Sequence, residues 1–337
     1  MTEATAERLN MENVNGNGSA ATCLITGATG LVGAALVRRF AADGLRVVAA
    51  ARNPAMAKAL FGELPAVEIL EWDVTRPLDL GGRAVDWLVH AAGETSSRAF
   101  VERPVETIET IVDGTRNALR LARAAGVRAM VFLSTMEVYG APTAARVSER
   151  DYGFLDPLSV RTSYPEAKRL AESLCVAYAK EYGVPVRIAR LTQTFGAGVR
   201  YDDGRVFAEF ARAILERRDI VLKTEGTTAR SYCALADAVE AIRTILASGE
   251  DATAYTVANE ATFCTIREMA EALVRAHPES GAKVVVDTQG AATRGFAPPF
   301  RMNLDCSRLR ALGWRPKVGL LEMFEQMMDG MKASAKA

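Results

Sequence analysis

Apolar positions in the first part of the chain follow two alternating rhythms. Strand-length apolar runs fall at Cys23–Ile25, Leu45–Ala51, Val67–Leu70, Asp86–His90, Ala129–Leu133 and Val186–Leu191. Between them, apolar residues take helical spacing from Leu31, from about Val105 to Ala125, and from Tyr164 to about Tyr182. Gly126 stands where the second of these helices should stop. Strand–helix alternation through residue 140 predicts an α/β fold with a doubly wound parallel sheet, whose ligands lie at the strand C-termini. Beyond about Arg200 the alternation loosens. Helices are expected near 204–217, 237–248, 265–276, 305–312 and 320–332, with short strands near 220–223, 254–257 and 283–287. These predict a smaller α/β lobe over the ligand edge, so residues 201–337 are expected to be mainly substrate-binding and 21–200 dinucleotide-binding. Residues 1–20 have no apolar core and end in Asn15-Gly-Asn-Gly-Ser-Ala20, which reads as a disordered tail.

The first strand runs into Gly27-Ala-Thr-Gly-Leu-Val-Gly33, which opens the first helix. Gly27 permits a sharp turn, Gly30 a close approach to a pyrophosphate, and Gly33 close packing of helix on strand. First-turn amides then face the anion. Strand, glycine turn and helix in this order are the context of a Rossmann dinucleotide site, lined by Gly27, Thr29, Gly30, Leu31, Val32 and Gly33. At the end of the second strand, an NAD-preferring unit usually carries Asp or Glu for the ribose hydroxyls. Ala51 and Arg52 stand there instead, and an arginine suits a 2′-phosphate. Both NAD and NADP therefore remain candidate cofactors. Small residues at Ala91, Ala92 and Gly93 let the backbone pass close to the cofactor after the fourth strand.

Composition narrows the partners. Lys plus Arg and Asp plus Glu balance at 41 each, so no basic field points to nucleic acid or an anionic membrane. No apolar stretch is long enough to read as a transmembrane helix. The five cysteines are scattered without C-x-x-C spacing, as expected of reduced thiols in a cytoplasmic protein. His90 and His277 are the only histidines, which leaves no histidine-rich metal site, and no metal is expected.

The fifth strand delivers Ser134-Thr-Met-Glu-Val-Tyr-Gly140, and a polar loop over 141–163 leads to Tyr164-Pro-Glu-Ala-Lys168 at a helix start. Tyr164 and Lys168 are four apart and share a helical face. A phenol beside an ammonium, with a Ser/Thr hydroxyl from a strand end, makes a hydride-transfer site. The lysine charge is expected to lower the phenol pKa, so that Tyr164 exchanges the substrate hydroxyl proton while Thr135 holds the same oxygen. Glu137 is a candidate second acid/base.

These motifs resemble the extended short-chain dehydrogenase/reductases, the NAD-dependent epimerase/dehydratase family of nucleotide-sugar enzymes, from residue 21 to about 330. The glycine turn, Asp73-Val74, His90-Ala-Ala92, Ser134–Gly140 and Tyr164–Lys168 carry the likeness, with Asp203-Gly-Arg-Val206, Thr228-Ala-Arg-Ser-Tyr232 and Leu312-Gly-Trp314. The resemblance implies that Asp73 and Val74 flank the adenine. It also implies that Glu94, Thr135, Gln193, Arg205 and Arg230 surround the substrate, the two arginines near its nucleotide and diphosphate. UDP-glucuronate decarboxylases are the most similar members, although Met136 stands where they have Ser and where 4,6-dehydratases have Asp. Gln193 replaces an Asn common among relatives. The implied chemistry is C4 oxidation of a nucleotide sugar to a 4-ketone, followed by decarboxylation, epimerisation or elimination. The long helices at 105–125 and 164–182 resemble those that pair in family homodimers. Two rivals stay open: an NADPH-dependent ketone reductase of dihydroflavonol or steroid type, and a non-catalytic dinucleotide sensor.

Overall fold

The computed structural model describes residues 20–288 and 300–334. Of the stretch read as a disordered tail, all but Ala20 lies outside the described residues. The chain opens with β1 (Thr22–Thr26), α1 (Leu31–Ala42), β2 (Arg46–Ala51), α2 (Pro54–Phe61), β3 (Val67–Glu71) and β4 (Trp87–His90). It continues through α3 (Ser97–Glu102), α4 (Pro104–Ala125), β5 (Ala129–Thr135), α5 (Ser163–Tyr182) and β6 (Val186–Leu191). The second part holds β7 (Gln193–Phe195), α6 (Val206–Leu215), β8 (Ile220–Leu222), β9 (Ala229–Ala234) and α7 (Leu235–Ser248). Next come β10 (Ala254–Val257), β11 (Asn259–Thr265), α8 (Ile266–Ala276), β12 (Val284–Val286), β13 (Arg301–Met302), α9 (Ser307–Ala311) and α10 (Leu320–Ser334).

A seven-stranded sheet in the order β10-β6-β5-β4-β1-β2-β3 forms the centre, and every pair in it is parallel. Its middle strands are buried on both faces, which is why β1 and β5 read as continuous apolar runs. One face packs against α1 and α7 through Leu36, Phe40, Ile242 and Leu246. The other packs against α4 and α5 through Ile111, Leu119, Ala171 and Cys175. α4 ends where expected, because Gly126 adopts the left-handed conformation (φ 62°) and its amide reaches Ala122 and Arg123 carbonyls.

The strand expected near 254–257 is present, but it belongs to the central sheet rather than to the smaller lobe. β10 pairs in parallel with β6, and α7 supplies the crossover between β9 and it. A second sheet is built from β11, β9 and β13, with β7 also on β9, and β8 pairs with β12. These enclose a third core of Phe195, Phe207, Phe210, Tyr232 and Phe324. The stretch expected to be a plain loop, 141–163, is anchored by bridges from Ala141 to Phe154 and from Val147 to Leu304. Among the described residues, no helix is long and apolar enough to cross a membrane.

Candidate active site

A cleft of about 520 Å3 runs along the C-terminal ends of β1, β2, β4, β5 and β6. Its floor is the glycine turn. Gly27 holds φ at +64°, and a Cβ there would come within 2.7 Å of the Ala92 nitrogen and 2.8 Å of the Ala91 oxygen. A Cβ on Gly33 would sit 2.2 Å from the Gly27 oxygen, so helix and turn close on each other only without side chains. At Gly30 a Cβ would meet protein no nearer than 3.3 Å, so the constraint there is what occupies the cleft. α1 has no side-chain cap and no acidic residue in its first turn. Its free amides and dipole therefore suit an anion, and the cradle fits a dinucleotide pyrophosphate. Thr29, Leu31, Val32, Arg52, Val74, Ala91 and Ala92 line the same cleft.

The wall behind Ala92 is a buried polar relay. Thr26 Oγ1 accepts from the Ala92 amide at 3.1 Å and shares a 2.8 Å hydrogen bond with His90 Nδ1. Burial, then the Lys168 charge, pull His90 down to about 3, so its imidazole is neutral.

At the end of β5, three consecutive residues meet α5. The Leu133 carbonyl accepts from Lys168 Nζ at 2.7 Å. The Ser134 hydroxyl donates to Glu172 at 2.5 Å. The Thr135 side chain faces the Tyr164 phenol and pulls its pKa down. Thr135 also accepts the Glu137 amide at 3.2 Å, which caps the single 3-10 turn Met136–Tyr139. Glu137 enters the cleft, and its carboxylate accepts from Arg161 Nη2 at 3.1 Å. Met136 is buried beside it and accepts the Thr192 hydroxyl on sulfur at 3.2 Å.

The electrostatics of Tyr164 differ from expectation. Burial and then the Glu137 carboxylate push the phenol well above the ordinary tyrosine range, against the pull of Thr135 and Arg161. Lys168 is not what lowers it, because its ammonium is turned to the Leu133 carbonyl and lies 6.0 Å from the Tyr164 ring centroid. Burial also brings Lys168 itself down to about 8, with Glu172 and then Cys175 pushing the other way. In this state Tyr164 carries its proton.

Gln193 and Arg205 reach the cleft, the latter held by Asp203 at 2.6 Å and laid over Phe207. Asp73, Glu94 and Arg230 do not line it. Asp73 accepts the Thr75 hydroxyl and amide at 2.8 and 3.0 Å. Burial pushes its carboxyl up, but those bonds and then Arg52 and Arg76 bring it below the usual range. Glu94 accepts the Thr95 and Ser96 amides, each at 2.9 Å, ahead of α3. Arg230 lies on β9 with its guanidinium 4.9 Å from the Phe300 ring centroid.

Two residues in direct contact with the site escaped the sequence reading. Phe100 of α3 stacks on Tyr164, and Arg161 lies 5.0 Å from the Phe100 centroid while holding Glu137. Six-residue α3 is too short to show a helical period, and its one signal was Ser96, whose side chain caps it.

Residues 23–259 match the NAD dependent epimerase/dehydratase family. UDP-glucuronic acid decarboxylase 6 of Arabidopsis thaliana is 33% identical over 316 residues, covering 92% of this chain and 88% of the relative. Among solved structures, dTDP-glucose 4,6-dehydratase DesIV of Streptomyces venezuelae, with NAD and TYD bound, superposes with a TM-score of 0.76 at 24% identity, over 94% of this chain and 98% of that one. UDP-glucose 4-epimerase of Thermotoga maritima reaches a TM-score of 0.80 at 20% identity, over 93% and 99%. The length of the family match and the likeness to the plant enzyme agree with the cleft: this chain belongs to the NAD dependent epimerase/dehydratase family.

Proposed function

We propose that the protein decarboxylates a UDP-uronic acid through a 4-keto intermediate, with NAD or NADP in the cleft. The observation that carries this reading is the meeting of Thr135, Tyr164 and Lys168 beside the glycine cradle, with the Glu137–Arg161 pair against Tyr164. The UDP-glucuronic acid decarboxylases that match most of the chain support the choice of substrate. The dinucleotide, when bound, takes the C4 hydride and gives it back.

Thr135 holds the sugar C4 hydroxyl, and Tyr164 accepts its proton as the C4–H bond breaks. Proton uptake needs the ionised phenol, which Thr135 and Arg161 favour against burial and Glu137, and which a cationic nicotinamide would favour further if bound. The product is a β-keto acid, so the C5–C6 bond breaks, carbon dioxide leaves, and the electron pair moves to the C4 oxygen as an enolate. The enolate then takes up a proton at C5, and Glu137, protonated from solvent water, is placed to deliver it. Arg161 balances the Glu137 charge, which would otherwise repel a substrate carboxylate. Met136 has no proton to donate, so elimination at C6 lacks the acid it needs there. Gln193 and Arg205, which line the cleft, take the nucleotide and diphosphate. Arg52 at the β2 end takes a 2′-phosphate if NADP is the cofactor.

Val105 and Ile108 on α4 and Leu170 and Val176 on α5 are exposed apolar positions on the two long helices, and we assign them to a homodimer interface. Sedimentation of Leu170→Glu as a monomer, against a wild-type dimer, checks this.

The test of function is incubation with UDP-, dTDP-, GDP- and CDP-sugars, with products read by mass spectrometry. Loss of carbon dioxide from UDP-glucuronate is expected. Loss of water, or an unchanged mass with inverted C4, would replace decarboxylation by dehydration or epimerisation. Steady oxidation of added NADPH with an apolar ketone would replace the whole reading with the reductase.

A further inference from the structure

Tyr164, Lys168 and Glu172 stand four residues apart along one face of α5. Lys168 and Glu172 hydrogen-bond the consecutive β5 residues Leu133 and Ser134, and the next residue, Thr135, acts on Tyr164. Glu172 is the only one of the three outside the cleft lining. Arg190 of β6 donates to it from Nε at 3.0 and 3.3 Å and from Nη2 at 2.7 Å. Both side chains are buried, Arg190 to 2% exposure and Glu172 to 9%. A carboxylate this deep stays ionised only with such partners, and Arg190 and Ser134 together satisfy it.

We propose that Glu172 is a positioning residue of the reaction, acting through Ser134 and Lys168 without touching substrate. It pins the β5 end against α5, so that the strand end carrying Thr135 stays in place beside Tyr164, and it sets a carboxylate one helical turn from the Lys168 ammonium. The inference rests on the role given to Lys168 above. The titratable groups facing Lys168 are Tyr164, Glu172 and Cys175 on its own helix and His90 on β4. β5 contributes the Phe132 ring, 4.7 Å from Nζ to centroid, and the Leu133 carbonyl. Burial pushes the Cys175 thiol and the Tyr164 phenol up, and His90 is neutral. Of these groups Glu172 is the carboxylate, and it opposes the burial that brings Lys168 down to about 8.

The experiment is an NMR titration of the full chain carrying lysine isotope-labelled at the ε carbon, with the Lys168 resonance assigned through Lys168→Arg. In the wild type the midpoint is expected near 8. In Glu172→Gln it should fall by roughly one unit, the scale of losing a neighbouring opposite charge. Glu172→Asp should restore most of the shift. Because Glu172→Gln strands the Arg190 charge, which would itself push Lys168 down, the double variant Glu172→Gln, Arg190→Gln is titrated as well and should show a smaller fall in the same direction. A midpoint unmoved in both would overturn the charge-holding role. Ser134→Ala should lower kcat several-fold with KM and the Lys168 midpoint unchanged, and unchanged kcat would overturn the pinning role. The titration needs no substrate, so its failure and a failed nucleotide-sugar assay are separate results.

Discussion

The Phe100 and Tyr164 rings stack with centroids 4.1 Å apart and planes 8° from parallel. Short α3 thereby packs a ring against the phenol. Ser163 strengthens the link by donating to the Phe100 carbonyl at 3.0 Å. Phe100→Leu keeps an apolar side chain and removes the ring, at a cost of about 0.5–1.5 kcal/mol for the lost aromatic pair. If Phe100 orients the phenol, kcat should drop by about that factor, roughly two- to tenfold, with the affinity for cofactor retained. Steady-state kinetics with cofactor titration checks it.

Glu137 and Arg161 should separate under substitution. Glu137→Gln removes the proton carrier but keeps the backbone amide that Thr135 caps, so sugar oxidation should proceed and product release should stall. Reduced nicotinamide is then expected to accumulate on substrate addition. Arg161→Met leaves the Glu137 charge unbalanced beside Tyr164. Substrate carrying a carboxylate should bind more weakly, by about 1.5–3 kcal/mol for a lost charge-assisted contact, whereas a neutral UDP-sugar should bind as before. Equal losses for both sugars would remove Arg161 from charge balancing.

Cofactor choice turns on Arg52. Its removal should weaken NADP by roughly 1.5–3 kcal/mol and leave NAD within about twofold, if it meets a 2′-phosphate. Isothermal titration with each dinucleotide reads the difference, and equal losses would make Arg52 a bystander.

His90 should govern part of the acid response. Its folded pKa, about 3, lies below the ordinary 6.5, so the unfolded chain binds the extra proton between those values. Its contribution to stability is therefore full above about pH 6.5 and lost as pH falls toward 3, at about 1.4 kcal/mol per unit. His90→Asn should flatten the decline of urea-unfolding stability across that window, even though the variant starts less stable.

Much of the first half was legible because the middle strands of the sheet are buried on both faces and read as apolar runs. Val186–Leu191 and the Tyr164–Tyr182 helix show this: the expected strand matches its bounds, and the helix starts within one residue, at Ser163. The partner of 254–257 was not legible, since an apolar tetrapeptide signals a strand but not the edge it joins. β9 was missed because Ala229-Arg-Ser-Tyr-Cys-Ala234 is interrupted by polar residues that become covered only when β7, β11 and β13 gather on it. Thr135, Tyr164 and Lys168 were readable from spacing, whereas the Arg161–Glu137 pair spans a loop without periodicity. The direction of the Tyr164 shift was also invisible. Spacing puts a lysine near the phenol, but only coordinates reveal that its ammonium is turned to a carbonyl and that burial outweighs it.

The central claim is that Tyr164 drives oxidation at C4 before carbon dioxide leaves. The most direct measurement follows the absorbance of reduced nicotinamide after mixing the protein with UDP-glucuronate carrying deuterium at C4. The signal should rise and decay in the wild type, more slowly than with unlabelled substrate, and the deuterium should return to C4 of the decarboxylated product. Tyr164→Phe should bind cofactor normally yet lose at least ~100-fold in that rise, the scale of general acid/base help. Decarboxylated product formed with no transient, no isotope effect and wild-type speed in Tyr164→Phe would contradict the account.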